Sequence, residues 1–172
     1  MEQLRKMIRN IPDFPSPGIM FRDITTVLKD PEGLNIAVDA IADSLKDVDF
    51  DLVLGPESRG FIFGVPLAYK LRKGFVPARK LGKLPAKTAK KAYALEYGEA
   101  EIEIHLDAIK PGQKVVIVDD LLATGGTAKA VADLVTELGA EVVAMAFLIE
   151  LEALGGREVL SGYDNVETVL VY

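Results

Sequence analysis

The chain has 172 residues, 49% of them apolar and 27% charged, and a net charge of −6. We expect one soluble globular domain over residues 1–172, because a chain of this length buries about 70% of its unfolded surface. The lack of cysteine excludes disulfides, thiol catalysis and cysteine metal sites, and His105 alone cannot form a histidine-rich site. No apolar run reaches about 18 residues, and the N-terminus lacks the apolar core of a signal peptide, so we expect a cytoplasmic protein without a membrane span.

Charge is distributed unevenly along the chain. Residues 58–95 contain ten of the twenty Lys and Arg residues and no acid, so the rest of the chain holds all 26 acids and only ten bases. The window lacks the interleaved aromatic and basic residues of single-strand binders, and an acidic protein is a poor match for a long polyanion. Its positive charge therefore favours a small, highly charged anion such as pyrophosphate over nucleic acid.

The first fifty residues predict two helices separated by an irregular loop. Residues 2–10 form a short amphipathic helix, and residues 11–23 are too rich in proline to be regular. Asp30 and Pro31 then make an N-cap and first-turn pair. They open a helix whose apolar face consists of Leu34, Ala37, Val38, Ile41 and Leu45. The aromatic and apolar loop either covers a core edge or walls a flat ligand pocket.

A strand–loop–helix unit follows. Residues 51–55 are a short buried strand that leads, through the loop 56–60, into an apolar helix ending near Lys73. Residues 75–79 are the next strand.

The stretch after that strand is less regular. Residues 80–94 are rich in Lys and Ala and show no apolar period, which predicts a mobile lid or a hairpin. Residues 101–105 alternate as a half-exposed strand does. His105 occupies a polar edge position there, which argues against a catalytic role.

Residues 115–127 are the most informative stretch of the chain. Val115 to Val118 read as a strand buried on both faces of a parallel sheet, and Asp119 and Asp120 end it. A loop of small residues then opens a helix whose apolar positions are Val131, Leu134, Val135 and Leu138. Residues 141–150 and 165–172 supply two further strands.

Alternating strands and helices of this kind predict an α/β fold with a parallel twisted sheet flanked by helices. The loops after the two buried strands would share the carboxyl edge of that sheet, where ligands bind. Backbone N–H groups and two hydroxyls at a helix N-terminus suit a phosphate, and two carboxylates suit a sugar diol or Mg²⁺ held through water. Phosphate and diol together describe a ribose 5-phosphate. A P-loop and a Rossmann fingerprint are both missing from the sequence.

The string from Val115 to Thr127 resembles the phosphoribosyl-pyrophosphate motif of type I phosphoribosyltransferases. Three further segments, 14–24, 57–64 and 82–85 with 93–98, are similar to those of the adenine phosphoribosyltransferases. The resemblance extends to Gly156-Arg157-Glu158 and so covers essentially the whole chain. It implies a small N-terminal hood over residues 1–34 and a flexible lid over residues 80–98.

The resemblance implies a Mg²⁺-dependent reaction in purine salvage, in which adenine and phosphoribosyl pyrophosphate give AMP and pyrophosphate. The 5′-phosphate is implied to bind Ala123, Thr124, Gly125, Gly126 and Thr127, and the ribose hydroxyls Asp119 and Asp120. Pyrophosphate is implied to bind Glu57, Ser58, Arg59 and Gly60, together with Arg79, Lys80 and Lys83. The loop 57–60 often carries a cis peptide in the family. Mg²⁺ is expected to be held through substrate and water rather than by a dedicated set of protein ligands.

The base pocket implied by the resemblance contains Met20, Phe21, Arg22 and Leu151, with Phe21 stacking on adenine. Arg59 and Glu96 are the implied catalytic residues. Glu96 either exchanges a proton near the purine N7 or only orders the lid. Some of the basic residues are implied to act across a homodimer interface.

Two alternatives remain open from the sequence. The same fold can act on hypoxanthine, guanine or xanthine, although the loop Phe-Pro-x-Pro-Gly favours adenine. A non-catalytic phosphoribosyl-pyrophosphate sensor that regulates transcription would need a DNA-binding module, and the first fifty residues offer no basic helix beyond residues 5–9.

Overall fold

The computed structural model describes residues 1–95 and 98–172 of the chain. Two compact units are present, Met1–Ala40 and Ile41–Tyr172. The single domain, the hood over 1–34 and the lid over 80–98 stay predictions. Within the described residues, every helix is too short or too polar to cross a membrane.

The first unit contains a small antiparallel strand pair between short helices. Its elements are α1 (Glu2–Met7), β1 (Arg9–Ile11), β2 (Phe21–Asp23), α2 (Thr25–Leu28) and the beginning of α3 (Pro31–Ser44). The predicted helix over 2–10 is wrong beyond Met7, because Arg9 to Ile11 pair with Phe21 to Asp23 instead. The same pairing makes the end of the predicted irregular loop a strand.

Local hydrogen bonds stabilise this unit. The predicted N-cap of α3 is confirmed, since Asp30 Oδ1 accepts the N–H of Gly33 at 2.8 Å. Asp23 is buried and accepts hydrogen bonds from the Thr25 N–H at 2.9 Å and from Arg9 Nε at 2.8 Å. These bonds, led by the backbone bond from Thr25, lower the pKa of Asp23 to about 2.

The second unit is built on a seven-stranded sheet within the described residues. Its strands are β3 (Leu52–Pro56), β4 (Gly74–Lys80), β5 (Thr88–Leu95), β6 (Gly98–His105), β7 (Lys114–Leu122), β8 (Glu141–Glu150) and β9 (Val166–Val171). They lie in the order β5-β6-β4-β3-β7-β8-β9. The neighbouring strands β4, β3, β7, β8 and β9 are all parallel. At one edge, β6 pairs antiparallel with β4, and β5 pairs antiparallel with β6.

Helices flank this sheet as predicted. They are α4 (Arg59–Leu71), α5 (Gly126–Glu137) and α6 (Gly156–Val159), with a 3₁₀ turn at Glu152–Leu154. α4 packs on β3 and β7, whereas α5 packs on the hairpin and on β7 and β8. The predicted α/β class is confirmed, with a parallel sheet extended by one antiparallel hairpin.

Of the two alternatives predicted for residues 80–94, the hairpin is confirmed from Thr88 onward, and one detail of its second strand differs from the prediction. Residues 88–95 form a regular strand without an apolar period, because every residue from Thr88 to Leu95 pairs with a residue of β6. Glu103 is only 3% exposed, although alternation placed it on a half-exposed strand. Its carboxylate is buried because it accepts the N–H groups of Lys83 and Leu84 at 3.0 Å each and the Thr88 hydroxyl at 3.0 Å.

Candidate active site

The candidate site lies where two loops leave neighbouring parallel strands. β3 pairs with β7, so the loop after β3 and the loop after β7 emerge side by side at the carboxyl edge of the sheet. A cavity of about 410 Å³ opens between them. Its lining joins the two predicted loops: Glu57, Ser58, Arg59, Lys80, Asp119, Asp120 and residues 121–128, with Tyr93, Ile102 and Phe147.

The loop from Ala123 to Thr127 forms the turn between β7 and α5. Gly125 has a φ of 80°, a left-handed conformation that favours glycine, and α5 begins at Gly126. The first residues of this twelve-residue helix line the cavity, and the first backbone N–H groups of a helix have no partner within it. This arrangement suits an anion, as the sequence predicted.

Asp119 and Asp120 lie within β7, which continues to Leu122 rather than ending at these two residues as predicted. The strand is longer because Asp119, Leu121 and Leu122 still pair with β8. Asp119 Oδ1 accepts the N–H of Asp120 at 2.8 Å. Burial raises the pKa of Asp119 well above its ordinary value, and the charge of Asp120 adds to the effect.

The loop after β3 brings a cation against this carboxylate pair. Arg59 Nη1 lies 3.1 Å from Asp120 Oδ2, and the Glu57–Ser58 peptide is cis, as the resemblance implied. Burial raises the pKa of Asp120, and the charge of Arg59 opposes this increase. Gly60 permits the approach, because a Cβ there would lie 2.9 Å from the Val118 carbonyl oxygen and 3.2 Å from Asp119 Oδ1.

Glu57 organises the three basic residues that were predicted near pyrophosphate. It accepts the N–H of Lys80 at 2.5 Å and a bond from Arg79 Nη2 at 3.2 Å, and Arg79 Nη1 donates to the Lys83 carbonyl at 3.2 Å. Burial acts to raise the pKa of Glu57, but these partners outweigh it and lower the pKa. Of the three basic residues, only Lys80 is among the described residues that line the cavity.

The residues predicted to bind the base are distributed over both units. In the first unit, the Phe21 ring packs edge-to-face on Phe14 at 5.2 Å, Arg22 Nη1 donates to Asn10 Oδ1 at 2.5 Å, and Met20 is 44% exposed. In the second unit, Leu151 follows β8, and its N–H donates to the Leu122 carbonyl at 2.9 Å. Glu96 lies outside the described residues.

The cavity is also lined by Tyr93, Ile102 and Phe147, which were not predicted from the sequence. Tyr93 and Ile102 belong to the hairpin, and Phe147 belongs to a strand with buried residues from 144 to 150. A strand buried throughout gives no signal for which residue faces a ligand. His105 accepts a hydrogen bond from the Ala86 N–H at 3.3 Å and is not among the described residues that line the cavity.

Comparison with known proteins agrees with this geometry. The phosphoribosyl transferase domain family matches residues 23–167. The adenine phosphoribosyltransferase of Lachnoclostridium phytofermentans is 57% identical over 172 residues, which span 100% of this chain and 98% of the relative.

Solved structures give the same assignment. The crystal structure of adenine phosphoribosyltransferase from Thermoanaerobacter pseudethanolicus is 53% identical, with a TM-score of 0.96 and coverage of 99% of both chains. That from Saccharomyces cerevisiae, complexed with an imino-altritol bisphosphate and adenine, is 40% identical, with a TM-score of 0.91 over 98% of this chain and 97% of the other. The chain therefore belongs to the phosphoribosyl transferase family and, within it, to the adenine phosphoribosyltransferases.

Proposed function

We propose that the chain transfers the 5-phosphoribosyl group of phosphoribosyl pyrophosphate to adenine, giving AMP and pyrophosphate. In this reaction the bond from the anomeric carbon to the pyrophosphate oxygen breaks, and a bond from that carbon to an adenine nitrogen forms. The observation that carries this proposal is that a helix N-terminus, the carboxylate pair Asp119 and Asp120, and the cation of Arg59 meet in one cavity of the described residues. These three features match the 5′-phosphate, the ribose hydroxyls and the pyrophosphate of one substrate.

The positions of the cavity residues support a division of roles. Ala123, Thr124, Gly125, Gly126 and Thr127 bind the 5′-phosphate through backbone N–H groups and hydroxyls. Asp119 and Asp120 accept hydrogen bonds from the ribose hydroxyls. Bond breaking develops positive charge on the ribose and negative charge on the departing pyrophosphate, so catalysis consists mainly of alignment and electrostatic stabilisation.

Pyrophosphate is bound by Glu57, Ser58, Arg59 and Gly60 together with Arg79, Lys80 and Lys83. Arg59 is the principal cation, because its side chain is 44% exposed beside the cavity and its partner Asp120 is buried. Arg79, Lys80 and Lys83 act in part across the interface of a homodimer.

The carboxylate pair fits a magnesium ion held through water. Asp119 and Asp120 would accept hydrogen bonds from the water around a Mg²⁺ ion, and a cation nearby would stabilise their ionised forms against burial. When bound, Mg²⁺ neutralises charge on the pyrophosphate and makes it a better leaving group. The substrate and water would supply its ligands.

Adenine is bound by Met20, Phe21, Arg22 and Leu151, and Glu96 acts on the purine from the lid. The Saccharomyces cerevisiae relative was crystallised with adenine, which supports this base. The lid over residues 80–98 excludes bulk water, which would otherwise hydrolyse the activated ribose. We expect the enzyme to act in the cytoplasm, without nucleic acid or membrane as a partner.

The test is product formation from phosphoribosyl pyrophosphate and Mg²⁺ with adenine, hypoxanthine, guanine and xanthine offered separately. We expect AMP and pyrophosphate from adenine alone. Turnover of a 6-oxopurine would overturn the base assignment and keep the phosphate site. Tight binding of phosphoribosyl pyrophosphate without turnover of any base would favour the transcriptional sensor instead.

A further inference from the structure

Two glycines bring the 5′-phosphate loop into backbone contact with α6. A Cβ at Gly156 would lie 2.2 Å from the Ala123 carbonyl oxygen and 2.9 Å from Leu122 Cδ1. A Cβ at Gly125 would lie 2.7 Å from the Gly156 carbonyl oxygen. The phosphate loop and the start of α6 are therefore too close for a side chain at either glycine. The position of Gly156, which does not line the cavity among the described residues, thus sets the position of the loop.

Gly156 begins a helix of only four residues, which is too short to hold its place through its own hydrogen bonds. Arg157 anchors it from the next position. Its Nε and Nη2 donate to the two carboxylate oxygens of Glu150 at 3.1 and 2.7 Å, and its Nη1 donates to the Val166 carbonyl at 2.8 Å. One guanidinium therefore connects α6 to the last residue of β8 and to the first residue of β9.

The carboxylate partner is fixed as well. The Glu150 side chain is 7% exposed at the end of β8, and its Oε2 also accepts the Thr168 hydroxyl at 2.9 Å. A bidentate arginine–carboxylate pair has a defined geometry as well as a favourable energy. It holds α6 in one orientation against the phosphate loop.

We propose that Arg157 and Glu150 are a positioning pair which, through Gly156, fixes the backbone of the 5′-phosphate loop. The inference rests on the proposed function, because it assumes that residues 123–127 bind the 5′-phosphate. N–H groups bind phosphate well only when held within about 0.5 Å of their productive positions. Loosening the anchor weakens every ligand that carries a 5′-phosphate and leaves pyrophosphate, bound on the other side of the cavity, unaffected.

The direct test is Gly156→Ala, with Gly162→Ala as the matched control. Neither glycine has a positive φ, and a Cβ at Gly162 meets nothing within 4 Å, so the control separates the contact with the loop from the effect of a glycine-to-alanine change in itself. Calorimetry would measure the binding of AMP, ribose 5-phosphate and Mg²⁺-pyrophosphate. We expect Gly156→Ala to weaken AMP and ribose 5-phosphate at least about tenfold, as an overpacked contact does, with pyrophosphate changed less than about twofold.

The ion pair is tested separately with Arg157→Lys and with the double variant Glu150→Gln/Arg157→Met. Lysine keeps the charge but not the bidentate fork. Arg157→Met alone would leave the buried carboxylate of Glu150 without its charged partner and could prevent folding. The double variant removes both charges and avoids this problem. Loss of 5′-phosphate affinity in both variants supports the positioning role. A lower melting temperature with unchanged AMP affinity, or equal losses for AMP and pyrophosphate, overturns it.

These measurements separate the inference from the proposed function, because they record binding and not turnover. A wild-type protein that binds AMP but makes none from adenine would contradict the proposed function and leave the positioning pair standing. A wild-type protein that binds pyrophosphate but neither AMP nor ribose 5-phosphate would overturn the role of residues 123–127, and the inference with it.

Discussion

Arg59 Nη1 lies 3.1 Å from Asp120 Oδ2 and thereby joins the loop after β3 to the strand β7. The two side chains differ in exposure, since that of Arg59 is 44% exposed and that of Asp120 only 3%. The guanidinium thus lies between a buried carboxylate and the open cavity. An incoming polyanion would compete with Asp120 for the same cation.

Replacement of Arg59 tests this arrangement. We expect Arg59→Ala to weaken phosphoribosyl pyrophosphate and pyrophosphate about 10- to 100-fold, because a charge-assisted hydrogen bond contributes about 1.5–3 kcal/mol. AMP, which lacks the pyrophosphate, should lose less than about threefold. Equilibrium binding of the three ligands would measure this, with Arg59→Lys as the variant that keeps the charge. Equal losses for AMP and pyrophosphate would refute the assignment.

Gly60 gives a prediction for the fit between the two loops. In Gly60→Ala the new Cβ would lie 2.7 Å from Pro56 Cδ and 2.9 Å from the Val118 carbonyl oxygen, so the loop after β3 must move away from β7. We expect a loss of about 1–3 kcal/mol in the free energy of unfolding, together with weaker binding of phosphoribosyl pyrophosphate. Urea unfolding would measure the stability. Gly162→Ala should leave both quantities unchanged, and equal behaviour of the two variants would contradict this explanation.

Glu103 gives a prediction for the segment that precedes β5. Burial acts to raise its pKa, but the bonds from Leu84, Thr88 and Lys83 outweigh it and lower the pKa. A lowered pKa in the folded state means that Glu103 stabilises the protein above its ordinary pKa and that this contribution is lost as the pH falls through the lowered value. We expect Glu103→Ala to speed amide exchange at Lys83 and Leu84 at neutral pH.

Thr88→Val is the control for Glu103, because it removes one of the hydrogen bonds and keeps the carboxylate. It should have a smaller effect on amide exchange than Glu103→Ala. Unchanged exchange at Lys83 and Leu84 in Glu103→Ala would show that the carboxylate does not hold this segment.

Asp23 gives a pH prediction for the first unit. Its pKa of about 2 lies below the ordinary 3.8, so its contribution to stability is full above pH 3.8 and is lost as the pH falls through about 2. We expect Asp23→Asn to lower the free energy of unfolding at neutral pH by roughly 1–2 kcal/mol. This is less than the full pKa shift implies, because Arg9 is exposed and solvent screens its charge. NMR titration of the wild-type carboxyl should give the low pKa directly. A midpoint near 3.8 would contradict it.

Glu96 gives a prediction that depends on the family resemblance alone. If the side chain exchanges a proton with the purine, Glu96→Gln should lower kcat by about 100-fold or more and leave the affinity for phosphoribosyl pyrophosphate nearly unchanged. Steady-state kinetics with adenine and direct binding of phosphoribosyl pyrophosphate would measure the two effects. An unaltered kcat would remove Glu96 from the chemistry and leave it a role in the lid.

Local sequence signals predicted the parts of the site that depend on local structure. The strand, the loop 123–127 and the helix after it follow from a run of β-branched apolar residues, a loop of small residues and an apolar helix face. These signals failed for Glu103, whose burial depends on a distant partner. Glu103 is buried because a loop twenty residues earlier donates hydrogen bonds to it. Phe147 faces the cavity through its place in the sheet, which no local pattern encodes.

The pairing of β3 with β7 has a consequence for the folding kinetics. Leu52 aligns with Val115, so the pairing of the strands that carry the two loops closes a loop of roughly sixty residues, at a cost in chain entropy. The cavity is thus a product of non-local assembly and is absent from any intermediate that contains only one of the strands. A substrate that touches both loops recognises the assembled state alone, and we expect it to protect the enzyme by slowing unfolding rather than by accelerating folding.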